Sequence, residues 1–173
     1  NNQTILIFKN ILLRDKRGHL NKIVNSKIIE KLNFKIKECQ FSYNKKKNVF
    51  RGFYMQIGKF AERKLITLLS GKAIWFALDL RKKSKKFGNV NIIKIKKNTT
   101  IFIPKGFAHG SLSLSPCTFH IMADNSYSKK NSIGIRFDDK ELKFNLSKKI
   151  KNRLIVSKMH NNYGYLKDIK NKI

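Results

Sequence analysis

Cysteine is nearly absent from this 173-residue chain: there are two, Cys39 and Cys117, without CxxC spacing. Two cysteines make no disulfide scaffold, and the expectation is a pair of reduced thiols in a cytoplasmic protein. Proline is as rare, with only Pro104 and Pro116, so no Pro-rich linker divides the chain. No apolar run reaches the roughly 18 to 20 residues of a membrane-spanning helix, and no signal-peptide pattern opens the sequence. Gly-rich phosphate loops, HExxH and GxSxG are missing, and His19, His109, His120 and His160 are far apart in sequence. Acidic residues are the last shortage: 10 Asp+Glu stand against 39 Lys+Arg, a formal net charge of +29.

Apolar residues, by contrast, make up 41% of the chain, including 13 Phe and 22 Ile, too many for a disordered basic tail. The length fits one domain, 1–173, with a full hydrophobic core. Most of it has β character. Residues 4–13 are apolar and β-branched, and 64–81 predict two strands around the turn signal Ser70-Gly71-Lys72. Alternation continues through 90–103, 111–122 and 132–137, while 23–37 and 142–152 read as short helices. Short strands broken by turns over about 100 residues indicate an all-β sandwich or barrel rather than a βαβ fold.

The charge admits two readings. A +29 chain attracts polyanions, and nucleic acid is the obvious one. Yet Lys supplies 32 of the 39 cations and Arg 7, and Lys, Asn and Ile are what AT-rich codons favour. A dedicated nucleic-acid surface would use more Arg, whose fork reads phosphate and guanine bidentately. Nucleic acid is therefore the less favoured partner, and a smaller anion such as a nucleotide diphosphate is drawn by the same field.

Six blocks, in order, carry a family resemblance. They are Arg14-Asp15-Lys16-Arg17-Gly18; Val49-Phe50-Arg51-Gly52-Phe53-Tyr54-Met55-Gln56; Ala61-Glu62-Arg63-Lys64-Leu65-Ile66; Asp79-Leu80-Arg81-Lys82-Lys83-Ser84; Pro104-Lys105-Gly106-Phe107-Ala108-His109-Gly110; and Tyr127-Ser128 followed by Gly134-Ile135-Arg136-Phe137-Asp138-Asp139. From about residue 14 to 139 the chain resembles the dTDP-4-dehydrorhamnose 3,5-epimerase family. The resemblance implies an all-β jelly-roll (cupin-like) barrel with short peripheral helices and a cytoplasmic homodimer. It also implies a nucleotide-diphosphate 4-keto-6-deoxy sugar as substrate, in surface-polysaccharide biosynthesis, with no metal or organic cofactor. Its chemistry is proton abstraction beside a ketone, which needs a base, an acid on the opposite face and a cation near the enolate oxygen.

The resemblance implies substrate-binding roles for Arg17, Arg51, Gln56, His109 and Tyr127, with Lys64 polarising the ketone. It departs at the proton-transfer groups. The family's basic His falls at Tyr54, the Asp that pairs with that base falls at His160, and its acidic Tyr falls at Ile121, with His120 on the opposite strand face. In the early arm Lys22 stands where a Glu is expected. Three functions follow: an isomerase with rearranged groups, in which Tyr54 and His160 pair beside Lys64; a non-catalytic nucleotide-sugar-binding homologue; or a basic polyanion-binding protein. Bland readings stand beside the site residues: a strand ion pair for Arg51, a solvated Lys64, a satisfied turn His109 and a core Tyr127.

Overall fold

A computed structural model describes residues 4–173. The strands run in chain order as β1 (Leu6–Lys9), β2 (Ile11–Asp15), β3 (Gly18–Lys22), β4 (Glu38–Asn44), β5 (Phe50–Gln56) and β6 (Lys64–Ser70). They continue as β7 (Ala73–Asp79), β8 (Val90–Ile95), β9 (Thr99–Ile103), β10 (Phe107–Ser113), β11 (Cys117–Ala123) and β12 (Ser132–Gly134). The helices α1 (Ser26–Leu32), α2 (Lys148–Lys151) and α3 (Leu166–Ile169) are short.

One five-stranded sheet has the order β1-β9-β6-β11-β4 and a second the order β12-β5-β10-β7-β8; β2 and β3 form a separate ribbon. The pairings within them are antiparallel. The expected jelly-roll barrel is therefore corrected. A barrel needs its first and last strands hydrogen-bonded, and among the described residues neither sheet closes: β1 and β4 remain edges of one, β12 and β8 of the other. The all-β class and the short helices stand.

The turn at Ser70-Gly71-Lys72 is present, but it joins no hairpin. It carries the chain from β6 in the first sheet to β7 in the second, and the link from β8 to β9 also changes sheet. Gly71 (φ 80°) lies so close to the link from β10 to β11 that a Cβ there would stand 2.0 Å from the Pro116 carbonyl oxygen.

Alternation then assigns each face. Ile66, Leu68, Ile101, Ile103 and Phe119 from the first sheet meet Trp75, Ala77, Ile95 and Phe107 from the second, forming the core between them. The far side of the second sheet is covered by the C-terminal segment through Leu142, Leu146, Leu166 and Ile169. The far side of the first is covered by Leu32 and Phe34, at and just beyond the end of α1. This helix occupies the middle of the helical 23–37 reading; of 142–152 only α2 is helical.

Candidate functional site

The candidate site opens between the sheets where β5 and β10 meet β4 and β11. The motif Arg51-Gly52 determines its geometry. Arg51 pairs with Ser111 and Tyr54 with His109, so Gly52 and Phe53 together oppose Gly110 in a bulge. Strict alternation would put Arg51 and Tyr54 on opposite faces. The bulge turns both inward, while Phe50, Phe53 and Met55 pack into the core behind the sheet. Gly52 has φ 103°, and a Cβ there would lie 2.3 Å from the His109 carbonyl oxygen, so only glycine fits.

The resulting cleft has a volume of about 200 Å³. Tyr54, Trp75, His109, Phe119 and Tyr163 supply its rings, Arg51 its charge and Ile121 an aliphatic wall. His109 stacks on Trp75 at 5.8 Å and 16°. Its Nε2 accepts from the Lys64 Nζ at 3.3 Å, and Lys64 is also paired with Glu62 at 2.9 Å. Burial, seconded by the Lys64 charge, holds the His109 imidazolium well below the usual histidine range, so the ring is neutral. Burial pushes the Glu62 carboxyl up, and the Lys64 ammonium pulls it back. Lys64 has three donors and spends two, so one N–H remains. It lines an adjoining small void that shares His109 with the cleft.

Tyr54 donates to the Ser132 hydroxyl at 2.6 Å, which itself donates to the Ser128 carbonyl, and the Lys64 Nζ lies 5.8 Å from its ring centre. Burial pushes its phenol up to about 12. At neutral pH Tyr54 is a proton donor, not a base. His160 is buried elsewhere: its Nδ1 is 3.1 Å from the Gly52 carbonyl, and its ring stacks on Phe137 at 4.9 Å. No hydrogen bond joins Tyr54 to His160 among the described residues; His160 meets the backbone of the Tyr54 strand at Gly52 and the ring of Tyr163 at the cleft.

The other expected site residues separate. Arg51 donates from Nε to Asn44 Oδ1 at 2.6 Å and from Nη2 to the Tyr43 carbonyl. Gln56 is buried and spent on backbone: Nε2 donates to the Phe60 and Ser126 carbonyls, and Oε1 accepts from Ser128 N. It clamps the loop carrying Tyr127, which is exposed, its own N–H held by Glu38. Arg17 sits on the β2–β3 ribbon, exposed and paired with Asp15 at 2.6 Å, away from the cleft. His120 faces outward, 3.0 Å from the Cys39 sulfur. Trp75, Phe119 and Tyr163 are cleft rings that sequence reasoning missed, since they belong to no motif. Among the described residues no cluster of three or more His, Cys, Asp or Glu is placed to hold a metal.

Lys64 and His109 thus pair beside an aromatic cleft that opens between the two sheets. The comparisons with known proteins give the family. The family model for dTDP-4-dehydrorhamnose 3,5-epimerase matches residues 3–168. The chain is 33% identical over 160 residues to the Shigella flexneri dTDP-4-dehydrorhamnose 3,5-epimerase, covering 89% of this chain and 87% of that one. It superimposes on the crystal structure of the Elizabethkingia anophelis enzyme of that name with TM-score 0.82 and 28% identity, over 95% of this chain and 92% of that one. A Legionella pneumophila dTDP-6-deoxy-D-glucose-3,5-epimerase, solved in complex with dTDP-4-keto-L-rhamnose, gives TM-score 0.83 at 25% identity over 97% and 90%. The chain belongs to the dTDP-4-dehydrorhamnose 3,5-epimerase family, nucleotide-sugar isomerases of carbohydrate biosynthesis.

Proposed function

We propose that this chain, as a single domain over 1–173, binds a nucleotide-diphosphate 4-keto-6-deoxy sugar and that its proton-transfer chemistry is altered or lost. The setting is surface-polysaccharide biosynthesis, in the cytoplasm, as a homodimer. The observation that carries the reading is the Lys64 ammonium held between Glu62 and His109 beneath the Tyr54 ring. A fixed cation and a neutral imidazole in a shielded place suit a ketone oxygen and the negative charge it would gain. Arg51 at the cleft suits the diphosphate. The change in chemistry rests on Tyr54, whose phenol keeps its proton up to about pH 12 where the family pattern has a base. Tyr54, His160 and Lys64 thus separate in role: donor, support for the Gly52 backbone, and oxyanion partner.

The second reading, a binder without catalysis, is favoured by the same phenol, because the cleft offers donors and no free base. The polyanion reading is weaker. Lys31, Lys82, Lys83 and Lys105 line one cleft, and Lys72, Lys94, Lys96 and Lys97 line another. Calorimetric titration with dTDP-, GDP- and CDP-linked 6-deoxy sugars tests the binding claim. One of them should bind, with affinity falling about tenfold or more in Arg51→Ala. Silence with all three sinks the reading. Deuterium incorporation beside the ketone, measured in D2O with the 4-keto sugar that binds, then separates altered from lost catalysis.

A further inference from the structure

The C-terminal segment brings one phenol to the cleft that no motif announces. Tyr163 lines the same wall as Tyr54 and Trp75. Its ring is pinned. A Cβ on Gly134 would stand 2.2 Å from its Cδ1, and the His160 ring meets it edge-on at 5.2 Å. The backbone on either side is tied down by Tyr163 N–H to the His160 carbonyl at 3.1 Å and Arg136 N–H to the Gly164 carbonyl at 3.1 Å. Tyr54 spends its hydroxyl on Ser132, whereas the Tyr163 hydroxyl has no hydrogen-bond partner among the described residues. Burial pushes this phenol up as well, so it is a donor throughout the neutral range.

We infer that Tyr163 is a substrate-contacting residue whose hydroxyl donates a hydrogen bond to the hexose of the bound nucleotide sugar. The cleft, at about 200 Å³, is smaller than the roughly 300–1,000 Å³ of a site that encloses a whole drug-sized ligand. It therefore takes the sugar end and leaves the nucleotide outside. A pre-positioned donor on a stiff ring adds affinity without the cost of ordering a mobile side chain. This assignment rests on the nucleotide-sugar reading above. It makes His160 a positioning residue, holding Tyr163 by its ring and Gly52 by its carbonyl partner.

Calorimetry on the full chain with two probes, dTDP and dTDP-L-rhamnose, tests it. Tyr163→Phe keeps the ring and removes only the donor. It should lose about five- to tenfold in affinity for dTDP-L-rhamnose, the worth of one net hydrogen bond, and bind dTDP within about twofold of wild type. Equal losses for both probes would make Tyr163 structural, and no loss for either would remove the contact; each overturns the inference. Wild type binding dTDP but not dTDP-L-rhamnose also overturns it. Wild type binding neither would instead remove the dTDP-sugar reading beneath it, and the contact with it. Should the variant fold poorly, 3-fluorotyrosine placed at position 163 gives an independent readout. Its 19F resonance should move with dTDP-L-rhamnose and stay still with dTDP; the absence of a sugar-dependent shift counts against the contact.

Discussion

Gly52 shows how one residue controls the cleft. Its φ of 103° and its contact with the His109 carbonyl let β5 bulge, and the bulge turns Arg51 and Tyr54 to one side. Gly52→Ala should cost about 2 kcal/mol or more, because the backbone conformation and the space both reject a side chain; chemical denaturation should show a lower midpoint. Tyr54 supplies a pH signature. Its folded pKa of about 12 lies above the ordinary 10.0, so folding favours the protonated phenol. The contribution is complete below pH 10 and is lost as pH rises from 10 to 12. Thermal melts of Tyr54→Phe should therefore fall less steeply than wild type across that window. The Arg51-Gly52 pair could be recognised from sequence, but its consequence could not, because a bulge is a property of two strands and β10 lies more than fifty residues away.

At the scale of elements, α1 is a test of local against tertiary support. Seven residues are too few to hold a helix alone. Asn25 caps it, its side chain accepting from Ile28 N at 3.1 Å, and Leu32 and Phe34 close over Leu65, Phe102 and Met122. Asn25→Ala should destabilise by about 1 kcal/mol, seen as a lower denaturation midpoint with unchanged binding at the cleft, which lies on the inner side of the sheet. The Ser70-Gly71-Lys72 turn shows the limit of element-level reading. Turn chemistry fixed where the chain bends, while the partners of β6 and β7 were chosen by burial, Ile66 and Leu68 meeting Trp75 and Ala77 across the core instead of along a hairpin.

For the whole molecule the net charge of +29 is a standing load. Mutual repulsion among the lysines opposes compactness and is screened once the Debye length falls from about 14 Å at 0.05 M salt to about 4 Å at 0.5 M. The melting temperature should rise across that range, as scanning calorimetry at fixed pH would show; a flat response would mean that the lysines are too far apart to matter. No helix among the described residues is long and apolar enough to cross a membrane.

The sequence by itself determined the β character, the family and the cleft residues Arg51, Tyr54 and His109, because apolar alternation and the Arg-Gly and Pro-x-Gly-Phe-Ala-His-Gly blocks are local properties of the chain. Tertiary structure alone decided that the strands form two open sheets, that Lys64 reaches both Glu62 and His109, that His160 supports Gly52 without touching the Tyr54 hydroxyl, and that Tyr163 enters the cleft. Each of these depends on which distant strands share edges and faces, and that choice is made by burial of the whole chain.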